Sequence, residues 1–200
     1  LAIRSWLGLN PRTGRPHIPD SRYTAAAEVR GQAAYQIESI LVDADLFRRL
    51  RVRGEARGPD GIADLDRALS LVTGTPLAHV RKDGGAWLTE GDRLDHILLC
   101  AVVDVAHLLS VASLQQGDHA GAQAAAEIAA QVAPYEEIPQ LDLAAALAAR
   151  GHRAVAAQVL HENVTNRSDS DDRIPDDLPS RSGAILDSHN LLTWRDSASA

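Results

Sequence analysis

The chain has 200 residues, 45% of them hydrophobic but only 4% aromatic, and a net charge of −7. A single cysteine, Cys100, excludes an internal disulfide framework, and no uninterrupted apolar run approaches the roughly eighteen residues that a membrane span needs. Ala and Leu carry most of the apolar weight, both strong helix formers, so a mostly α fold is expected.

The chain opens with LAIRSWLG, which reads as the last two turns of a helix. It contains no methionine, and Leu1 is too large to follow an efficiently removed initiator, so a fragment of a longer protein is expected. Residues 10–33 hold three prolines and two glycines and read as loop. Residues 34–41, AYQIESIL, alternate partly and are the best strand candidate. That strand should pair with a segment within 16–30, beside the first helix, with Trp6 and Leu7 partly buried.

Asp43 can cap a helix carrying Leu46, Phe47 and Leu50. A second helix follows over 60–74, with Ile62, Leu65, Leu69 and Val72 on one stripe. Residues 75–86 read as loop, and Trp87 opens the longest helical pattern, to about Gln116. Further helical segments cover 118–133, 136–151, 152–164 and 180–194, the last after an acidic, proline-broken stretch at 166–179.

Gly117-Asp118-His119-Ala120 recurs as Gly151-His152-Arg153-Ala154, a period of 34 residues. Each copy is a turn leading into an Ala-rich helix, and 34 is the period of the tetratricopeptide helix-turn-helix unit. Ala120, Ala124, Ala154 and Gln158 should then occupy equivalent positions, with Ala124 a close-packing site. An irregular Ala-rich bundle is the plainer alternative.

At VDADLFRRL, ALSLVTGTPL, AWLTEGDRLD and the Gly117/Gly151 recurrence, the chain resembles the bacterial transcriptional activator domain of actinobacterial antibiotic regulatory proteins. In that family a winged-helix DNA-binding domain leads into a tetratricopeptide-like helical domain. The junction is matched here by Tyr35-Gln36-Ile37, Val42-Asp43-Ala44, Phe47 and Leu50, and a later loop by Gly74, Pro76, Leu77, Trp87, Arg93 and Leu94. The resemblance implies mostly α structure, with tetratricopeptide-like hairpins and a small N-terminal β element from a truncated winged helix. Residues 1–42 would be the winged-helix remnant, 43–165 the activator domain, and 166–200 an acidic linker and terminal helix. The region before the strand is longer than usual for the family.

The function so implied is that of a non-catalytic regulatory and protein-interaction module of a cytoplasmic transcriptional regulator. DNA would be bound only through the full-length protein, a protein or peptide would occupy the helical groove, and a homodimer is possible. Similar regions also occur in larger proteins with lysin motifs, so an interaction scaffold in an envelope-associated protein is the alternative.

Signatures of nucleophilic, nucleotide-dependent or zinc-dependent catalysis are missing from the sequence, and Lys82 is the only lysine. No cofactor is expected. Residues 1–57 carry ten arginines against six acidic residues, leaving −11 on the remainder. Arg4, Arg12, Arg15 and Arg22 fall where the resemblance places recognition helix and wing, so they are the candidate phosphate or base contacts. His96, Cys100, Asp104 and His107 form a stripe about 80° wide on the longest helix. They are zinc-capable types, but the stripe rises about 16 Å at 1.5 Å per residue, too far for one ion. A polar stripe lining a groove, or bonded to a neighbouring helix, is the expected role.

Overall fold

The computed structural model describes residues 2–82, 85, 93–165, 180 and 183–185. Trp87, the acidic stretch at 166–179 and most of the helix expected at 180–194 lie outside these residues. The chain is mostly helical, as its Ala and Leu content predicts, and divides into two compact units, Leu1–Leu46 and Phe47–Ala200.

The N-terminal unit contains α1 (Ala2–Leu7) and α2 (Ala25–Arg30). The predicted strand at 34–41 does not form: this segment has no regular secondary structure. It does run antiparallel to residues 17–21, because the Glu38 N–H donates to the His17 carbonyl and the Ala34 N–H to the Ser21 carbonyl, both at 2.8 Å. Local chemistry explains why the ladder stays incomplete. Pro19, between the two bonded positions, has no N–H to give. The Glu38 carbonyl is met at 2.8 Å by the imidazole Nδ1 of His17, and Ser39 turns the chain away with φ +57°. A single antiparallel bridge, Leu9 to Pro16, is the only β pairing among the described residues. Trp6 is 82% exposed, against expectation, and Leu7 is half-buried.

Helix α2 lies in the stretch read as loop. The Thr24 hydroxyl accepts from the Ala27 N–H (3.0 Å) and donates to the Ala34 carbonyl (2.8 Å), while Gly31 ends the helix at φ +66°. One buried threonine thus starts the helix and ties down the segment that follows it.

The helical unit begins within α3 (Asp43–Arg57), followed by a 3-10 turn at Gly58–Gly61 and α4 (Ile62–Leu69). Phe47, Leu50 and Gly54 face inward at helical spacing. Gly54 and Gly61 let the two segments touch: a Cβ on Gly61 would stand 2.0 Å from the Gly54 carbonyl oxygen. Within 75–86, read as loop, the structure has α5 (Ala78–Lys82).

Four helices follow: α6 (Leu94–Gln115), α7 (His119–Val132), α8 (Glu137–Ala149) and α9 (Arg153–Leu160). From α6 to α9 each helix packs on the next, and α4 and α8 also pack on α6. The 34-residue recurrence is structural. Gly117 and Gly151 sit just past helix ends with φ +76° and +88°. The Gly117 N–H donates to Leu114 and the Asp118 N–H to Ser113; 34 residues on, Gly151 donates to Ala148 and His152 to Leu147. The buried small residues repeat too: Ser110 and Ala122 correspond to Ala144 and Ala156, and all four are fully buried. Ala120, Ala124, Ala154 and Gln158 do match one another in position, but all are exposed. The close-packing site is therefore Ala122 rather than Ala124.

Candidate functional site

Helix α6 is the central helix of the unit. Leu98, Ala101, Val105 and Leu109 are buried on its inner face, and the stripe predicted from sequence lies on its other side. The four stripe residues do not converge. His96 and Cys100 are exposed one turn apart, with Nε2 and Sγ 3.7 Å from each other. Asp104 accepts from the Arg51 guanidinium of α3 at 3.3 Å. His107 Nδ1 lies 2.9 and 3.0 Å from the two carboxylate oxygens of Asp142 on α8.

The stripe is thus bonded to a helix on either side, to α3 through Arg51–Asp104 and to α8 through His107–Asp142. Asp142 is only 2% exposed, a costly place for a carboxylate unless it is paired, and His107 supplies that pairing. Beside these pairs, Ile97 (49% exposed) and Leu108 (42%) widen the open face to about 120° at 100° per residue. Toward the end of α6, Leu108, Val111 and Gln115 meet Gly54, Ile62 and Leu65 around a cavity of about 410 Å³. The result is an amphipathic groove with aliphatic patches and fixed charges.

The Cys100 thiol is pushed above its ordinary range, first by partial loss of solvent and then by the negative charges of Glu136 and Asp104. A thiol held protonated is a poor nucleophile and a poor metal ligand. Among the described residues, no three His, Cys, Asp or Glu side chains come together as a metal site.

The candidate DNA-contacting arginines differ from one another. Arg4 donates to the Pro19 carbonyl at 3.0 Å. Arg22 forms a two-point contact with Asp20 (3.1 and 2.9 Å) that holds the Asp20 carboxyl down at about 2, and it lies 5.5 Å from the Tyr23 ring centroid. Arg12 and Arg15 are exposed on the tight turn enclosed by the Leu9–Pro16 bridge. Two of the four arginines are therefore committed within the unit.

Arg51 and Asp142 complete the groove and were not singled out from sequence. Asp142 was detectable: it stands beside Leu141, inside an Ala-rich helix, in the phase of the buried positions Leu141, Ala144 and Ala145. Arg51 had no comparable signal, being one of five arginines between 48 and 57.

By length and composition α6 could also cross a membrane. Core helices pass the same test, and α4, α7 and α8 pack on this one.

The described residues from α3 onward form an all-helical unit in which α4, α7 and α8 pack on α6. The chain belongs to the bacterial transcriptional activator domain family, whose model matches residues 42–170. No curated protein and no solved structure matches it.

Proposed function

We propose that residues 43–165 are the regulatory and protein-interaction module of a cytoplasmic bacterial transcriptional regulator and carry no catalysis. Residues 1–42 are, on this reading, the C-terminal remnant of a winged-helix DNA-binding domain, and 166–200 an acidic linker with a terminal helix. The observation that carries the reading is the open face of α6. Ile97, Cys100 and Leu108 lie exposed on a helix whose neighbouring polar groups are already bonded to α3 and α8. Such a face suits a protein or peptide partner with matching aliphatic side chains. The tetratricopeptide-like recurrence supports the same reading, because stacked hairpins present continuous binding surfaces.

DNA contact is assigned to the full-length protein. Non-specific affinity grows with the number of phosphates neutralised. In this chain Arg12 and Arg15 are the candidates left uncommitted, against a net charge of −7. A fluorescence-anisotropy titration on the parent gene's promoter, at about 150 mM salt, tests the division. The full-length regulator should bind sequence-selectively, weakened by the R12A/R15A double substitution, while the present chain binds weakly or not at all. Sub-micromolar, selective binding by the present chain alone would overturn it.

A further inference from the structure

Two residues of the α6 stripe tie it to neither neighbouring helix. Asp104 and His107 are bonded to α3 and α8, whereas His96 and Cys100, exposed toward the start of α6, meet each other. Their spacing, i and i+4 on one helix, is that of two ligands sharing a metal ion in helical zinc motifs. The geometry agrees with the spacing. With Zn–S about 2.3 Å and Zn–N about 2.0 Å, the S···N edge of a tetrahedral site is about 3.5 Å. His96 Nε2 and Cys100 Sγ lie 3.7 Å apart, so the two atoms already stand close to one such edge.

Charge works in the same direction. Burial first, then Glu136 and Asp104, keep the Cys100 thiol protonated, which makes it a poor ligand until a cation removes the proton. Those two carboxylates oppose a further negative charge but favour a dication, and a bound Zn²⁺ releases the thiol proton to solvent. Among the described residues, no other His, Cys, Asp or Glu joins the pair as a third ligand. One chain therefore supplies two of the four positions that a structural zinc ion fills. The pair lies on the open side of α6 beside Ile97, itself 49% exposed, where a second molecule has access. A two-fold axis through the ion repeats both ligands and completes the set with no new residue type. The two thiolates then balance the charge of the ion.

We propose that His96 and Cys100 form half of a zinc site, which a second copy of this chain completes with the same two residues. The ion is Zn²⁺, the metal that a tetrahedral set of two sulfurs and two nitrogens selects. Bridging covers Ile97 and Cys100, so zinc supply sets how much of the α6 face stays open. The inference does not rest on what partner that face takes.

The test is analytical ultracentrifugation of the whole chain, kept reduced with a phosphine and titrated with zinc chloride. The mass should double, saturating at about half an equivalent of zinc per chain, and return to that of the monomer in EDTA. Cobalt(II) in place of zinc should give the thiolate-to-metal absorption and intense visible bands of a tetrahedral sulfur–nitrogen site. Both side chains are exposed, so H96A and C100S should melt as the wild type does yet lose the mass change and the cobalt bands. H152A, at an exposed histidine elsewhere in the unit, should keep both. The proposal is overturned if zinc leaves the mass unchanged or binds one ion per monomer. It is equally overturned if the dimer persists in EDTA, or forms with zinc in either H96A or C100S.

Discussion

The N-terminal unit buries Ile18, Thr24, Ala27 and Ala34 and leaves Ile3, Trp6, Leu9, Tyr23, Val29 and Tyr35 largely exposed. The helical unit does the reverse, packing alanines and leucines from successive helices until Ala106, Ala122, Leu141, Ala144 and Ala156 are fully enclosed. One unit is ordered chiefly by specific hydrogen bonds, through Thr24, His17 and the short pairing of 34–38 with 17–21. The other is ordered by small side chains that let helices approach. The two should therefore respond to different substitutions.

The largest effect is expected where backbone meets backbone. G61A puts a Cβ 2.0 Å from the Gly54 carbonyl oxygen, which no rotamer change can relieve. It should cost the helical unit about 3 kcal/mol in a urea unfolding titration. Next comes a matched pair on one helix. A122L overfills a fully buried site facing Ser110 and should cost about 2 kcal/mol, whereas A124L, on the exposed side, should stay within about 0.5 kcal/mol of wild type. Equal costs for the two would mean that the packing faces are misassigned.

In the N-terminal unit, T24A removes a helix cap and the link to Ala34 together, and should cost about 1 kcal/mol. Hydrogen exchange should report it as lost protection in residues 24–38, with α6–α8 unchanged. The smallest effect concerns acid. Asp64 is held below the usual carboxylate range, first by its two-point hydrogen bond with Arg53 and then by the nearby charges of Arg53 and Arg57. A depressed native pKa stabilises the fold above the unfolded value, near 3.9, and that contribution fades as pH falls through the native value. The wild type should therefore lose stability below about pH 4 more steeply than D64N.

The same contrast explains how much could be read from sequence. The 34-residue recurrence was legible because glycines in the left-handed region and small residues at contact positions are physical requirements of the repeated turn. Which small residues were buried was not, since Ala122 and Ala124 are chemically identical and only the helix phase separates them. In the N-terminal unit, alternation in AYQIESIL suggested a strand, but Pro19 and the His17 imidazole decided otherwise through bonds that no local pattern displays. Helix α2 could have been found from Thr24 and Gly31; the prolines nearby obscured it. Of the groove, the α6 stripe was visible as a helical face, while its partners Arg51 and Asp142 come from 53 and 35 residues away.

The central claim, that the helical unit regulates through the α6 face while DNA is held elsewhere, is tested most directly in the full-length regulator carrying I97D and L108D. Operator occupancy and transcript level are measured together at its own promoter. The account predicts unchanged occupancy with transcription severely reduced. Transcription that persists with both substitutions in a folded protein, or that falls only in proportion to lost occupancy, would contradict it.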